Sequence, residues 1–173
     1  MHATRRIKGF LVYLGLGFAA LGLTQTATAA DPMKAPSIDC TYRFVSRDLP
    51  DGTKQQHPDV VGLNTFSHGY RNFNIYWHDA QGKRFSISYI ASYKFTGKEY
   101  SEKSLYMMVN DEIGGKGSSY DLTGPSGKAP VTVDGARISF QLPNYGEPAA
   151  VFEGDTFTAT RAGAFVDHWE KVK

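Results

Sequence analysis

Apolar and polar side chains alternate with a period of two along much of the chain after residue 36. The clearest run lies at residues 85–93, where apolar or aromatic residues at odd positions are separated mainly by serines. Residues 38–44, 72–77 and 138–142 repeat the pattern. This spacing is typical of β-strands that bury one face and expose the other. Because no segment of ten or more residues in this region has convincing helical spacing, the sequence predicts an all-β fold.

Short turn signals separate these segments. They lie at residues 79–83 (DAQGK), 96–99 (TGKE), 133–135 (VDG) and 153–155 (EGD). Glycine beside Asp, Lys or Glu between two alternating runs indicates a tight hairpin, so we expect an up-and-down antiparallel order. Two polar stretches, at 48–59 and 114–130, are rich in turn-forming residues and are predicted to be loops at the rim of the fold.

The C-terminal segment GAFVDHWEKVK carries Phe165, Val166 and Trp169 close to the last residue. Large apolar groups at a chain end indicate a segment that is packed into the fold. A meander has two open edges, and pairing the last strand with the first, near residues 41–46, removes both. We therefore predict a single antiparallel β-barrel of about eight strands, which has room for side chains and one small ligand. A two-sheet sandwich is the alternative.

Residues 1–30 have the three parts of a secretory signal peptide. Arg5, Arg6 and Lys8 precede an uncharged apolar run, and small residues follow up to Ala29 and Ala30. An uncleaved anchor is the alternative, but the run is shorter than the ~20 residues that a membrane span needs. We expect a signal peptide at 1–30, a single domain at 31–173, a periplasmic or secreted location and no membrane span after cleavage.

Charge and cysteine content exclude several classes of partner. The chain has 19 Lys and Arg, three of them in residues 1–30, which leaves 16 against 17 Asp and Glu. A nearly neutral domain without a basic block is not expected to bind nucleic acid or an anionic membrane surface. Cys40 is the single cysteine, so an internal disulfide and a cysteine-based zinc site are excluded, and we interpret it as a small buried side chain. No cofactor is predicted.

The histidines of the domain do not predict a metal site. His57, His68, His78 and His168 lack the spacing of two or four residues that places a pair on one face. His168 and Glu170 share a strand face and could form an acid/base pair, although an outward polar face is the favoured interpretation. No catalytic residue is assigned.

Five stretches resemble the strands and hairpins of lipocalin-like domains of the calycin superfamily, in particular small exported bacterial members. They are YRFVSRDLPDG at 42–52, WHDAQGK at 77–83, ASYKFTGKEYSE at 91–102, FEGDTFT at 152–158 and HWEKVK at 168–173. The resemblance covers most of residues 31–173. It implies a β-barrel whose interior cup captures a small, largely apolar molecule.

Aromatic residues dominate the predicted inner face, and we interpret them as candidate ligand-binding residues. They are Phe73, Trp77, Phe85, Tyr89, Tyr93, Tyr106 and Phe140. Rings with polar tips suit a pocket that buries an apolar ligand and orients it by one or two hydrogen bonds. The alternative for each ring is that it fills the core. Tyr70, Arg71 and Asn72 are expected on the solvated surface, where they could line the entrance of the cup.

The predicted function is therefore binding of a small hydrophobic or aromatic molecule inside an exported barrel. One alternative is a small barrel enzyme of the isomerase or dehydratase type, which requires a titratable side chain buried beside the cavity. Another is a structural or protein-binding accessory domain acting through surface loops such as 114–130, which predicts a solid core and an exposed apolar patch.

Overall fold

A computed structural model describes residues 36–173, in which every regular element is a β-strand. The predicted signal peptide at 1–30 lies outside the described residues. The strands are β1 (Cys40–Asp48), β2 (Lys54–Gln56), β3 (Val60–Ser67), β4 (Tyr70–His78), β5 (Arg84–Phe95), β6 (Glu99–Asp111), β7 (Gly117–Asp121), β8 (Ser126–Pro130), β9 (Thr132–Asp134), β10 (Arg137–Gln141), β11 (Ala149–Glu153), β12 (Thr156–Arg161) and β13 (Phe165–Lys171). No helix in this region is long and apolar enough to cross a membrane.

The strands form one antiparallel sheet, which confirms the all-β prediction. Their order is β7-β6-β5-β4-β3-β1-β13-β12-β11-β10-β9, with β2 paired to β1 and β8 paired to β6. The sheet has thirteen strands, so the prediction of about eight was wrong. The stretches predicted as loops, 48–59 and 114–130, contain β2, β7 and β8. These strands are short and mostly exposed, and backbone pairing with longer neighbours holds them without an apolar face that a sequence pattern could show.

The sheet curls into a half-barrel. Within the described residues no ladder of backbone hydrogen bonds joins β9 to β7, so a fully closed barrel is not formed. Side chains make contact across the open side of the half-barrel. Tyr100 on β6 stacks against Phe140 on β10 with ring centroids 4.4 Å apart. A single continuous sheet also differs from the two-sheet sandwich that was the alternative.

The C-terminal strand β13 pairs with β1, as the apolar tail predicted. Phe44 lies opposite Trp169, and their rings meet edge to face with centroids 5.2 Å apart. The register shifts between Phe44 and Ser46, so Val45 is an extra residue at a β-bulge. Beyond this bulge the inward-facing positions of β1 change from even to odd, which turns Arg47 toward the interior.

The predicted turns connect successive strands. In the β4–β5 hairpin, Asp79 accepts hydrogen bonds from the backbone amides of Gln81 and Lys83, each at 2.9 Å. Gly82 has φ +74°, a conformation that glycine adopts without strain. The signals at 96–99, 133–135 and 153–155 likewise lie at the β5–β6, β9–β10 and β11–β12 turns.

One end of the interior is filled by a continuous series of stacked rings. Successive centroids along the series are 4.4 to 5.7 Å apart, and its members are Tyr93, Tyr100, Phe140, Phe152 and Phe157. Cys40 is half-buried and packs against this core, so it is less buried than the sequence predicted. On β5, Tyr93 belongs to the stack and Phe95 packs against the same core, whereas Phe85, Ile87 and Tyr89 line a cavity at the other end.

Candidate functional site

The unfilled end of the interior holds a cavity of about 310 Å³ with a mostly apolar wall. This volume lies at the lower end of the range for small-molecule sites. Strands β4, β5, β12 and β13 and the loop at 142–148 supply most of its lining. Its apolar lining includes Phe73, Ile75, Trp77, Phe85, Ile87 and Trp169.

The structure brings together four of the seven aromatic residues proposed from the sequence. Phe73, Trp77, Phe85 and Tyr89 all line the cavity, and Trp77 stacks on Phe85 with centroids 4.3 Å apart and an interplanar angle of 19°. Each lies at an odd position of β4 or β5, so the alternation located them correctly. Their role in ligand binding stays a prediction.

The other three proposed residues lie elsewhere. Tyr93 and Phe140 belong to the stacked core, away from the cavity. Tyr106 was expected on the inner face, and this was wrong. A bulge in β6 pairs Ala91 with Ser104 and Ile90 with Tyr106, which reverses the inward-facing parity of the strand. Tyr106 therefore lies opposite an exposed isoleucine and beside the exposed Tyr120.

Arg71 on β4 is buried within the interior, with only 2% of the residue exposed. Its Nη1 lies 2.8 Å from Glu147 Oε1 and 3.3 Å from Glu102 Oε2, and its Nε donates to Asn64 Oδ1 at 3.3 Å. The expectation of a solvated surface position was wrong for Arg71, whereas Tyr70 is exposed. Arg71 lies two residues before Phe73 on β4, so the two side chains face the same side of the sheet. That side is the interior.

Glu102 on β6 accepts hydrogen bonds from four neighbouring side chains. Tyr89 Oη donates to Oε1 at 2.5 Å, Tyr100 Oη donates to Oε2, and Asn144 Nδ2 donates to Oε1 at 3.4 Å. With Arg71 this gives four donors, the hydrogen-bond set of an ionised carboxylate. Burial, together with the negative charge of Glu102, raises the pKa of Tyr89 and Tyr100 well above the usual value, so both hydroxyls remain donors.

Glu147 lies in the loop between β10 and β11, where its carboxyl group is only partly satisfied. The turn is closed by the backbone bond from the Glu147 amide to Asn144 at 3.0 Å, and Gly146 has φ +64°. Oε1 contacts Arg71, whereas Oε2 is buried and has no hydrogen-bond partner among the described residues. Burial raises the pKa of Glu147 to about 7, against the lowering effect of the Arg71 charge. This carboxyl group therefore exchanges a proton near neutral pH beside the cavity.

A second buried ion pair lines the cavity on the β1–β13 side. Arg47 Nε and Nη2 donate to the two carboxylate oxygens of Asp167 at 2.6 and 2.9 Å, a bidentate geometry. The guanidinium carbon lies 4.8 Å from the ring centroid of Trp77 and 4.3 Å from that of Phe165. Burial raises the pKa of Asp167, while Arg47 acts in the opposite direction.

Trp169 provides the second buried polar atom that lacks a partner within residues 36–173, its indole Nε1. The residue is 2% exposed and lines the cavity. Its ring packs against Gly62, where an added Cβ would lie 2.8 Å from Trp169 Cη2. The absence of a side chain at Gly62 therefore makes room for the indole.

The candidate acid/base pair on β13 does not form. His168 Nε2 lies 2.8 Å from Asp48 Oδ2, and Glu170 forms an ion pair with Arg43, so each side chain contacts a residue of β1. The hydrogen bond from His168 holds the pKa of Asp48 below its usual value. Among residues 36–173 there is no group of three or more His, Cys, Asp or Glu side chains that could hold a metal ion.

Sequence reasoning missed one signal, which is that some charged residues lie at strand positions that face the same side as the apolar residues. Arg71 occupies the same parity as Phe73, Glu102 the same as Tyr100, and Asp167 the same as Trp169. The sequence carries no such signal for Arg47 or Glu147. A bulge turns Arg47 inward, and an irregular loop places Glu147 beside the cavity.

No protein-family model matches this chain, and searches of the curated proteins and of the solved structures found no match either. The resemblance to lipocalin-like domains therefore stays an expectation from the sequence.

Proposed function

We propose that this chain is an exported, lipocalin-like half-barrel that binds a small apolar or aromatic molecule in the interior cavity. The observation that carries the proposal is an aromatic-walled space of about 310 Å³ at one end of an otherwise packed interior. Transferring apolar ligand surface from water into such a space is favourable by roughly 25 cal/mol per Å². A purely structural or surface-binding domain needs no cavity, so the cavity favours ligand binding over that alternative.

The cavity wall also has features that orient a guest. Stacked Trp77 and Phe85 present a rigid aromatic surface. The side chains of Glu147 and Trp169 line the cavity, and each carries one buried polar atom with no partner in the described part of the chain, the acceptor Oε2 and the donor Nε1. Few polar groups in an apolar wall are the usual basis of specificity in small-molecule sites.

Native mass spectrometry of the protein purified from its own host tests the proposal. We expect a retained small molecule in the wild type and its loss in Ala159→Leu, because Ala159 is buried and lines the cavity. Ala80→Leu adds the same side chain at the exposed β4–β5 turn and should retain the molecule. Ligand-free wild-type protein that also shows no change in tryptophan fluorescence with any apolar aromatic compound would contradict the proposal.

A second candidate function is enzymatic, and Glu147 is the observation that favours it. A carboxyl group with a pKa of about 7 beside a cavity meets the requirement for a general acid or base. The chemistry would be proton transfer on the bound molecule, as in an isomerase or dehydratase. If so, hydrogens of the retained molecule should exchange in D₂O at a rate that Glu147→Gln lowers by about 10² or more. Unchanged exchange in this variant would exclude the role.

A further inference from the structure

The charges around Arg71 do not balance. One guanidinium lies between two carboxyl groups, those of Glu102 and Glu147. Glu102 already accepts hydrogen bonds from Tyr89, Tyr100 and Asn144, so its carboxylate oxygens are largely satisfied without a further donor. The surplus negative charge therefore belongs to Glu147.

The free oxygen of Glu147 belongs to a side chain that lines the cavity. The titratable or charged groups around it are Arg71 on β4, Tyr89 on β5, Tyr100 and Glu102 on β6, Tyr145 in the same loop and Arg161 on β12. Arg71 is committed to both carboxyl groups, and Arg161 is exposed, where water screens its charge. Within residues 36–173 nothing donates to Oε2. A donor carried by a guest would satisfy this atom.

The aromatic wall nearby already holds cations. The Arg71 guanidinium carbon lies 5.4 Å from the ring centroid of Phe73 and 5.3 Å from that of Tyr89. Arg47 makes the same kind of contact with Trp77 at 4.8 Å. Aromatic faces attract positive charge most strongly where water is excluded. The wall is therefore suited to a positively charged group.

An anionic guest fits this cavity less well. The Nε and Nη2 of Arg47 are both engaged by Asp167, and Arg71 is engaged by two carboxyl groups. A carboxylate guest at Arg47 or Arg71 would have to displace one of these partners and leave it buried without a counter-charge, which is costly. The third arginine of the cavity lining, Arg161, is exposed, so water screens its attraction for such a guest.

We propose that the molecule bound in the cavity is an amine on an apolar or aromatic body, and that its ammonium group donates a hydrogen bond to Glu147 Oε2. This inference rests on the proposed function of the cavity and names its ligand class. It assigns Glu147 as the residue that determines specificity, with Phe73 and Tyr89 as aromatic neighbours of the charge.

The inference predicts a pH dependence with a definite sign. An ammonium ion binds ionised Glu147, whose carboxyl group is about half protonated near pH 7 because burial raises its pKa to about 7. The competent fraction of the protein therefore increases from pH 6 to pH 8, and the affinity for an amine should increase about tenfold. A neutral guest of the same shape should show little change.

Tryptophan fluorescence measures this binding directly. The chain has two tryptophans, Trp77 and Trp169, and both line the cavity. The probes are 3-phenylpropan-1-amine, 3-phenylpropyl methyl ether and 3-phenylpropanoate, which share one body and differ in charge. At pH 8 we expect the amine to bind about tenfold or more tightly than the ether, as a hydrogen bond to a charged group implies, and the carboxylate to bind most weakly.

Two variants locate the effect. Glu147→Gln keeps the size of the side chain and should reduce the affinity for the amine to that for the ether, with no remaining pH dependence. Glu153→Gln changes an exposed carboxylate on β11 that pairs with Arg137, and it should leave all three affinities unchanged. The wild-type probe series and its pH dependence do not depend on the folding of either variant.

The outcomes separate the two proposals. Equal binding of the three probes, or tightest binding of the carboxylate, would overturn the amine assignment and leave ligand binding in the cavity standing. Binding of none of the probes at millimolar concentration would count against both. An amine preference that persists in Glu147→Gln would overturn the role of this residue.

Discussion

The buried pair of Arg47 and Asp167 allows a sharp test of what burial does to an ion pair. We predict that Asp167→Asn destabilises the fold strongly, whereas Glu170→Gln has little effect. Both acids lie on β13 and both partners lie on β1, in registers Arg47↔Asp167 and Arg43↔Glu170. The two substitutions therefore remove the same charge from the same strand pair and differ mainly in exposure.

The magnitude follows from the solvent exposure of each pair. The side chains of Arg47 and Asp167 are 8% and 5% exposed, and removal of one partner leaves a buried charge at a cost of about 3–5 kcal/mol. Asparagine keeps one acceptor for Arg47, so we expect about 3 kcal/mol. At about 3 °C per kcal/mol this lowers the melting temperature by about 10 °C. Arg43 and Glu170 are 63% and 40% exposed, where an ion pair contributes about 0–1 kcal/mol.

Urea unfolding followed by far-UV circular dichroism measures both free energies. The double variant with Arg47→Met tests the cause, because removal of the guanidinium should restore much of the stability lost in Asp167→Asn. A cost for Asp167→Asn within about 1 kcal/mol of that for Glu170→Gln would refute the argument that burial decides the contribution.

Three other predictions follow from the same structure. Burial raises the pKa of Glu147 from 4.5 to about 7, so the folded state holds this proton more tightly than the unfolded state does. Protonated Glu147 therefore stabilises the folded state by about 3 kcal/mol at low pH, and this contribution should be lost as pH rises from about 4.5 through about 7. Urea unfolding at several pH values should show this loss in the wild type and not in Glu147→Gln. Gly62→Ala should cost about 1–3 kcal/mol by clashing with the indole of Trp169, and thermal melts should show a smaller cost in a Trp169→Phe background. Tyr89→Phe should cost about 1–3 kcal/mol in urea unfolding, because a buried carboxylate loses a donor, while Tyr106→Phe on the outer face should be nearly neutral.

Local sequence patterns located much of the cavity wall but not its chemistry. Phe73, Trp77 and Phe85 lie in segments with uninterrupted alternation. In a regular strand every second side chain faces the same side, so the inward direction predicted for these residues is the one observed. Tyr106 was misplaced because one extra residue at a bulge reverses the parity. Nothing in the local pattern marks that bulge, since its position depends on how β6 pairs with β5.

Local sequence patterns were enough to predict the β class, the main hairpins and the pairing of β1 with β13. Alternation, turn glycines and an apolar tail each depend on a few neighbouring residues. The strands and turns that they favour therefore form in the same way wherever those segments lie in the fold. Only the tertiary fold brings Arg47 to Asp167, and only the fold places Glu147 Oε1 against Arg71 while Oε2 is left without a partner among residues 36–173. A buried charge is tolerated only beside a partner, and here the partners come from strands and loops far apart in the chain. Their meeting depends on the curl and register of the whole sheet, which no short segment encodes.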